Sequence, residues 1–351
     1  MSRYLADRYQ EMQAYTPGEQ PKAGTLIKLN TNESPFPPSP KAIAAVTKEA
    51  LGDLRLYCPI EAFDLRRAIA EKYRLSPERI IVSNGSDEVL AFAFLAFGDS
   101  GAYFPDVTYG FYKVWAQLYG VDFVQVPVHD DFSIYVGDYL RNDRMIVIAN
   151  PNAPTGLALS LREIEIILRA NPDHVVIIDE AYVDFGAQSA VGLLDKFDNL
   201  LIARTFSKSH ALAGARLGYI MGNAELIADL NKIKFSFNPY NVNSITQIMG
   251  AHAMHDGAYS DQCMEQISIA RDYTSDALCA LGFDVIPSSA NFVFAAPPDG
   301  DGELYSRSLR ERGILVRHFN ADRIRAYVRI TIGTMMQMRT LIAATKEIVK
   351  P

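Results

Sequence analysis

The apolar positions of this chain fall into short unbroken runs, separated by stretches of mixed polarity. Residues 80–82, 145–149, 175–178 and 200–203 are each continuously apolar and too short for a helix. That is the pattern of strands covered on both faces. Shorter strand signals lie near Ala102 and Tyr103, over residues 122–126 and at 219–221. Helical patterns intervene. Residues 65–73 look helical, 161–170 are amphipathic, and 87–97 are apolar nearly all round, so that helix is expected to be buried. Strands alternating with helices predict a doubly wound α/β domain.

The texture changes at both ends. Residues 1 to about 45 are irregular, with four prolines between Ser34 and Pro40, and predict an extended arm and loop rather than a core element. Past residue 245 one long helical stretch covers 244–281, and strands follow at 283–286, 292–294 and 327–332. We therefore expect an arm that also joins the small domain (1–45), a large α/β domain (46–245) and a small α+β domain (246–351).

Composition narrows the function classes. The 351 residues are 49% hydrophobic and 21% charged with a net charge of −7, the profile of a globular protein without a basic run for nucleic acid. Cys58, Cys263 and Cys279 show no paired spacing, which predicts a reducing compartment and neither disulfide nor metal site. The first ten residues lack the apolar core of a signal peptide, and the run from Val89 to Phe97 is too short to span a bilayer. The expected compartment is the cytoplasm.

The chemistry concentrates around one lysine. Thr205-Phe206-Ser207-Lys208 follows the apolar run 200–203, and Arg216 comes eight residues later. A lysine at a strand end can form a Schiff base with an aldehyde, while hydroxyls and an arginine can hold a dianionic phosphate beside it. Pyridoxal phosphate (PLP) carries both groups. Asp179 ends the run 175–178, where open α/β sheets bind ligands. It can pair with a pyridine nitrogen or, more simply, cap the next helix. Tyr182 follows three residues later and can reach the ring's phenolic oxygen.

Asn84-Gly85-Ser86-Asp87-Glu88 leads into the buried helix and offers free N–H groups to an anion. Tyr109 lies in a loop where an aromatic ring can stack on a pyridine. Asn152, in Asn150-Pro151-Asn152-Ala153-Pro154-Thr155-Gly156, sits on a rigid loop and can donate to the same phenolic oxygen.

In this order, the motifs resemble the fold-type I PLP-dependent aminotransferases of class I/II. The closest likeness is to the members that act on histidinol phosphate, and it extends from about Tyr15 to Gly333. The resemblance implies a mixed-sheet large domain with a smaller α+β domain. It implies transamination between L-histidinol phosphate and 2-oxoglutarate in histidine biosynthesis, with PLP on Lys208. Asp179 would pair with the ring nitrogen, Asn152 and Tyr182 with its phenolic oxygen, and Tyr109 would stack on it. Gly85, Ser86, Asp87 (mainly through its backbone), Thr205, Ser207 and Arg216 would surround the phosphate.

Tyr57 matches a tyrosine that reaches the neighbouring subunit's cofactor, which implies a homodimer. Tyr15, Asn32, Arg317 and Arg329 would contact substrate, with Arg329 at its acidic end. Ser34 stands where these enzymes more often carry asparagine, and His210 is another departure, expected to serve packing. Aromatic amino acid aminotransferases and threonine-phosphate decarboxylases remain alternatives on sequence. A nucleotide-dependent oxidoreductase or a non-catalytic binding protein is the alternative from another class, and the lack of a Gly-x-Gly-x-x-Gly or Walker loop weakens nucleotide binding.

Overall fold

The computed structural model describes residues 2–10, 12, 18–22, 24 and 26–349. Its main sheet has seven strands: β1 (Ile80–Ser83), β2 (Ala102–Pro105), β3 (Phe123–Val126), β4 (Met145–Ala149), β5 (Val176–Asp179), β6 (Leu200–Thr205) and β7 (Gly218–Gly222). The spatial order is β1-β7-β6-β5-β4-β2-β3. All neighbours run parallel except β7, which is antiparallel to both β1 and β6. The sheet is therefore mixed, and β1, β4, β5, β6 and β7 are buried along their whole length.

Alternation along these strands builds two cores. Val176, Ile178, Leu200 and Ile202 face one layer, whereas Ile177, Leu201 and Ala203 face the other. The second layer includes the helix Ser86–Phe97, whose residues 89–94 are all buried, and the helix Phe111–Tyr119. Asp179 shares the parity of Ile177, so it points toward that layer.

The small domain is a four-stranded antiparallel sheet, with Val328–Thr331 between Arg317–His318 and Phe292–Ala296, and Asp284–Ile286 at the far edge. The arm is more than a loop. Ile27–Lys28 pairs in parallel with Ile314–Leu315, and Leu29 is buried in the small-domain core.

The helical stretch 244–281 is two helices, Ser244–Met254 and Gly257–Ala280. Between them Asp256 accepts a hydrogen bond from Ser39 Oγ (2.5 Å) and pairs with Lys41 (2.9 Å). Ala253 and Met254 still pack in the large-domain core, while Ile267 packs in the small-domain core. The change of core thus falls near Asp256.

Candidate active site

Lys208, Asp179 and Arg216 line one cavity of about 840 Å³ at the C-terminal ends of β4, β5 and β6. Ser86, Asp87, Tyr109, Tyr182, Thr205, Ser207, Asn32, Arg317 and Arg329 line it too. The Lys208 amine donates to the carbonyl of Thr31 (3.3 Å) and lies 5.6 Å from the centre of the Tyr182 ring. The arm thus reaches the lysine directly.

One end of the cavity suits an anion. The helix Ser86–Phe97 has no side-chain cap at its N-terminus, so its first N–H groups are open to a ligand. Gly85 holds φ at +82°, and Gly218 of β7 packs so closely that an added Cβ would stand 2.2 Å from the Ser86 nitrogen. Thr205, Ser207 and Arg216 complete the rim. Arg216 pairs with Asp87 Oδ2 at 3.0 Å, and Tyr109 donates its hydroxyl proton to Asp87 Oδ1 at 2.8 Å. The Asp87 side chain is therefore engaged here, in addition to its backbone.

At the other end of the ring site, Asp179 is buried. Desolvation pushes its carboxyl up to about 6, against the lowering effect of hydrogen bonds from Tyr112 and the Ala181 N–H, with Asp87 and Glu180 adding to the rise. A positive ring nitrogen would favour its ionised form. Tyr182 Oη accepts from Asn32 Nδ2 at 2.9 Å. Asn32 holds φ at +56°, with Thr331 accepting from and donating to it and Asn291 donating to its carbonyl. Asn32 therefore orients Tyr182 as well as lining the cavity.

The cavity also carries two guanidinium groups, those of Arg317 and Arg329. Arg317 and Arg329 are direct cross-strand partners, and both lie over Phe319, at 5.5 and 5.6 Å from the ring centre. Such stacking holds both guanidinium groups beside the cavity, which they line.

Three expected contacts are not brought together in this way. The Asn152 amide donates to the Val107 carbonyl (2.9 Å) and Thr155 Oγ1 (3.1 Å), and its oxygen accepts from Thr108. It stands behind the cavity wall and braces the loop that leads to Tyr109. Tyr57 is 83% exposed and stacks on Tyr240 with ring centres 4.5 Å apart, away from the cavity. Tyr15 lies outside the described residues.

Sequence reasoning missed a buried ionic cluster beneath the floor. Arg204 pairs with Glu180 (2.9 Å) and with Asp184, and Asp184 accepts from Ser209 Oγ (2.6 Å). Glu180 follows Asp179 and Ser209 follows Lys208, so the cluster ties together the segments carrying both groups. Burial would raise Asp184, but Arg204 and other neighbours bring it down to about 2. It also missed Tyr112, whose hydroxyl donates to Asp179 Oδ2 at 2.8 Å.

A lysine, a buried carboxylate and a helix N-terminus without a side-chain cap around one cavity are the donor set that PLP requires, and these residues fit it. The chain belongs to the aminotransferase class I and II family, whose model matches residues 24–344. It is 49% identical over 351 residues to the histidinol-phosphate aminotransferase of Marinomonas sp. (strain MWYL1), with 99% of each chain covered. It is 47% identical to that of Acetobacter pasteurianus, covering 99% of this chain and 98% of the relative. The crystal structure of the histidinol-phosphate aminotransferase from Sinorhizobium meliloti in complex with pyridoxal-5'-phosphate shares the fold, with a TM-score of 0.88 at 24% identity, covering 99% of this chain and 98% of that one.

Proposed function

We propose that the protein transfers an amino group between L-histidinol phosphate and 2-oxoglutarate, giving imidazole-acetol phosphate and glutamate, as a step of histidine biosynthesis. The observation that carries this reading is the juxtaposition of Lys208 and buried Asp179 with the Arg317–Arg329 pair in one cavity. The 49% identity to a histidinol-phosphate aminotransferase supports the choice of substrate.

PLP, when bound, supplies an electron-withdrawing ring that lets a proton leave the carbon bearing the substrate's amine. Lys208 Nζ would be the base that takes this proton and later gives it back. Asp179 would hold positive charge at the ring nitrogen. Tyr182, oriented by Asn32, would donate to the phenolic oxygen, and the N–H groups at Ser86, with Thr205, Ser207 and Arg216, would hold the phosphate. Tyr109 would stack on the ring. Arg317 and Arg329 orient the substrate's anionic end and, in the return half-reaction, a carboxylate of the 2-oxo acid.

A homodimer suits the same reading. Tyr57 is exposed among Leu54, Leu56, Phe63 and Phe237, all more than half exposed, an apolar face that a second copy can cover. Tyr57 would then reach the neighbour's phosphate site. The cytoplasm is the proposed compartment, in keeping with three free cysteines.

Lys208→Ala tests the central role. The variant is expected to bind PLP without the absorbance of a lysine adduct, to resist borohydride labelling and to lose turnover by several orders of magnitude. Normal turnover in that variant would overturn the assignment.

A further inference from the structure

We infer that Tyr112 is a positioning residue for the cofactor's ring nitrogen, acting through the hydrogen bond that its buried hydroxyl donates to Asp179. This rests on the PLP reading above and assigns a role to a residue outside the cavity wall.

The geometry is specific. Tyr112 sits in the first turn of the short helix Phe111–Tyr119 and is fully buried. Its hydroxyl reaches Asp179 Oδ2 at 2.8 Å, and the Ala181 N–H donates to Oδ1 at 3.2 Å. A carboxylate has about four lone-pair sites, so two donors fix its plane while leaving room for a third. That third direction is open to the cavity, which Asp179 lines and Tyr112 does not. The arrangement therefore presents a carboxylate of fixed orientation to a cationic ring nitrogen.

Tyr112 also meets the ring stack. Its ring packs edge-on against Tyr109 at 5.7 Å and against Phe104 at 5.9 Å. The start of this helix and the loop just before it thus set both the donor to Asp179 and the Tyr109 ring.

Packing alone does not require the hydroxyl. A phenylalanine would fill the same space between Phe104, Tyr109 and Trp115, and burying a hydroxyl costs free energy unless it is bonded. Among the described residues, the partner of this hydroxyl is Asp179. The bond acts on the charged form of the carboxylate, since a donor aimed at a carboxylate favours ionisation. Burial alone drives Asp179 toward its neutral form, in which its charge no longer complements a pyridinium.

The test compares the wild type, Tyr112→Phe, Asp179→Ala and the double variant, all as full-length protein titrated with PLP. Fluorescence quenching gives the dissociation constant, and absorbance gives the fraction of cofactor attached to Lys208. Tyr112→Phe is expected to weaken PLP binding about tenfold, the effect of losing one hydrogen bond to a charged group. It should lower kcat while leaving KM for histidinol phosphate within about twofold. In the Asp179→Ala background the same change is expected to have no further effect on PLP binding, because the bond is already gone. Phe104→Leu disturbs the same packing but keeps the hydroxyl, and it should bind PLP as the wild type does.

Additive losses in the double variant, or equal losses from Phe104→Leu, would overturn the inference in favour of packing. A Tyr112→Phe protein indistinguishable from a PLP-binding wild type would overturn it as well. A wild type that fails to bind PLP would instead overturn the functional reading itself.

Discussion

Arg317 and Arg329 stand directly opposite each other on neighbouring antiparallel strands. Like charges in such a pair repel, and the arrangement persists with both guanidinium groups packed over the Phe319 ring. Two guanidinium groups so placed can bind an anionic group of a ligand. Arg329 is further fixed by donating to the Asn30 carbonyl at 3.1 Å.

Removing either charge should therefore act on substrate binding more than on chemistry. Arg317→Ala and Arg329→Ala are each expected to raise KM for histidinol phosphate tenfold or more, corresponding to about 1.5–3 kcal/mol for a bond to a charged group. PLP affinity should not change. Arg329→Lys should recover only part of the loss, because an ammonium cannot reproduce the planar fork. Steady-state kinetics of the three variants check this, and an unchanged KM would place the substrate's anion elsewhere.

The phosphate site depends on how closely two backbones approach. Gly218→Ala would put a methyl group 2.2 Å from the Ser86 nitrogen and 2.5 Å from the Gly85 carbonyl carbon. Both are main-chain atoms, so the turn itself must shift. PLP affinity is expected to fall at least tenfold, with the secondary structure retained. Equilibrium titration with PLP and circular dichroism separate that outcome from unfolding.

Much of this was legible in the sequence. Continuous apolar runs revealed the central strands, because a sheet covered on both faces needs no polar alternation. Asp179 stands out because it directly follows such a run, and Lys208 because it lies in the loop after one. Tyr112 could not be assigned, since in a helix next to Trp115 and Ala116 a tyrosine is indistinguishable from a packing residue until its hydroxyl is seen to reach β5. The pairing of Arg204 with Glu180 and Asp184 was equally hidden, as it depends on the registration of two strands and the turn after one of them. Asn152 shows the converse. The motif predicts its loop, but the direction of its amide is set by Val107 and Thr155, which the motif does not reveal.

His210 gives the fold a defined response to acid. Burial, with Lys72 and Arg204 as neighbouring positive charges, brings its imidazole down from 6.5 to about 4, against the opposing pull of Asp184. Between those values the unfolded chain takes up a proton that the folded chain refuses, so this contribution to stability is intact above 6.5 and is lost as the pH falls toward 4. The loss amounts to about 3 kcal/mol at about 1.4 kcal/mol per pH unit. Asp179 works in the opposite sense, because its folded value of about 6 exceeds the ordinary 3.8. Comparing His210→Gln with the wild type isolates the histidine. In urea melts of the PLP-free proteins, the wild type should lose its stability relative to the variant progressively below about pH 6.5. A difference independent of pH would contradict the buried neutral imidazole.

The most direct test of the proposed activity is a single turnover. PLP-loaded enzyme is mixed with histidinol phosphate in the absence of 2-oxoglutarate, while absorbance follows the cofactor and mass spectrometry follows the product. The account predicts loss of the lysine-bound cofactor signal and release of one imidazole-acetol phosphate per active site, with the signal restored by 2-oxoglutarate. An unchanged spectrum with histidinol phosphate, alongside rapid conversion of phenylalanine or threonine phosphate, would contradict it.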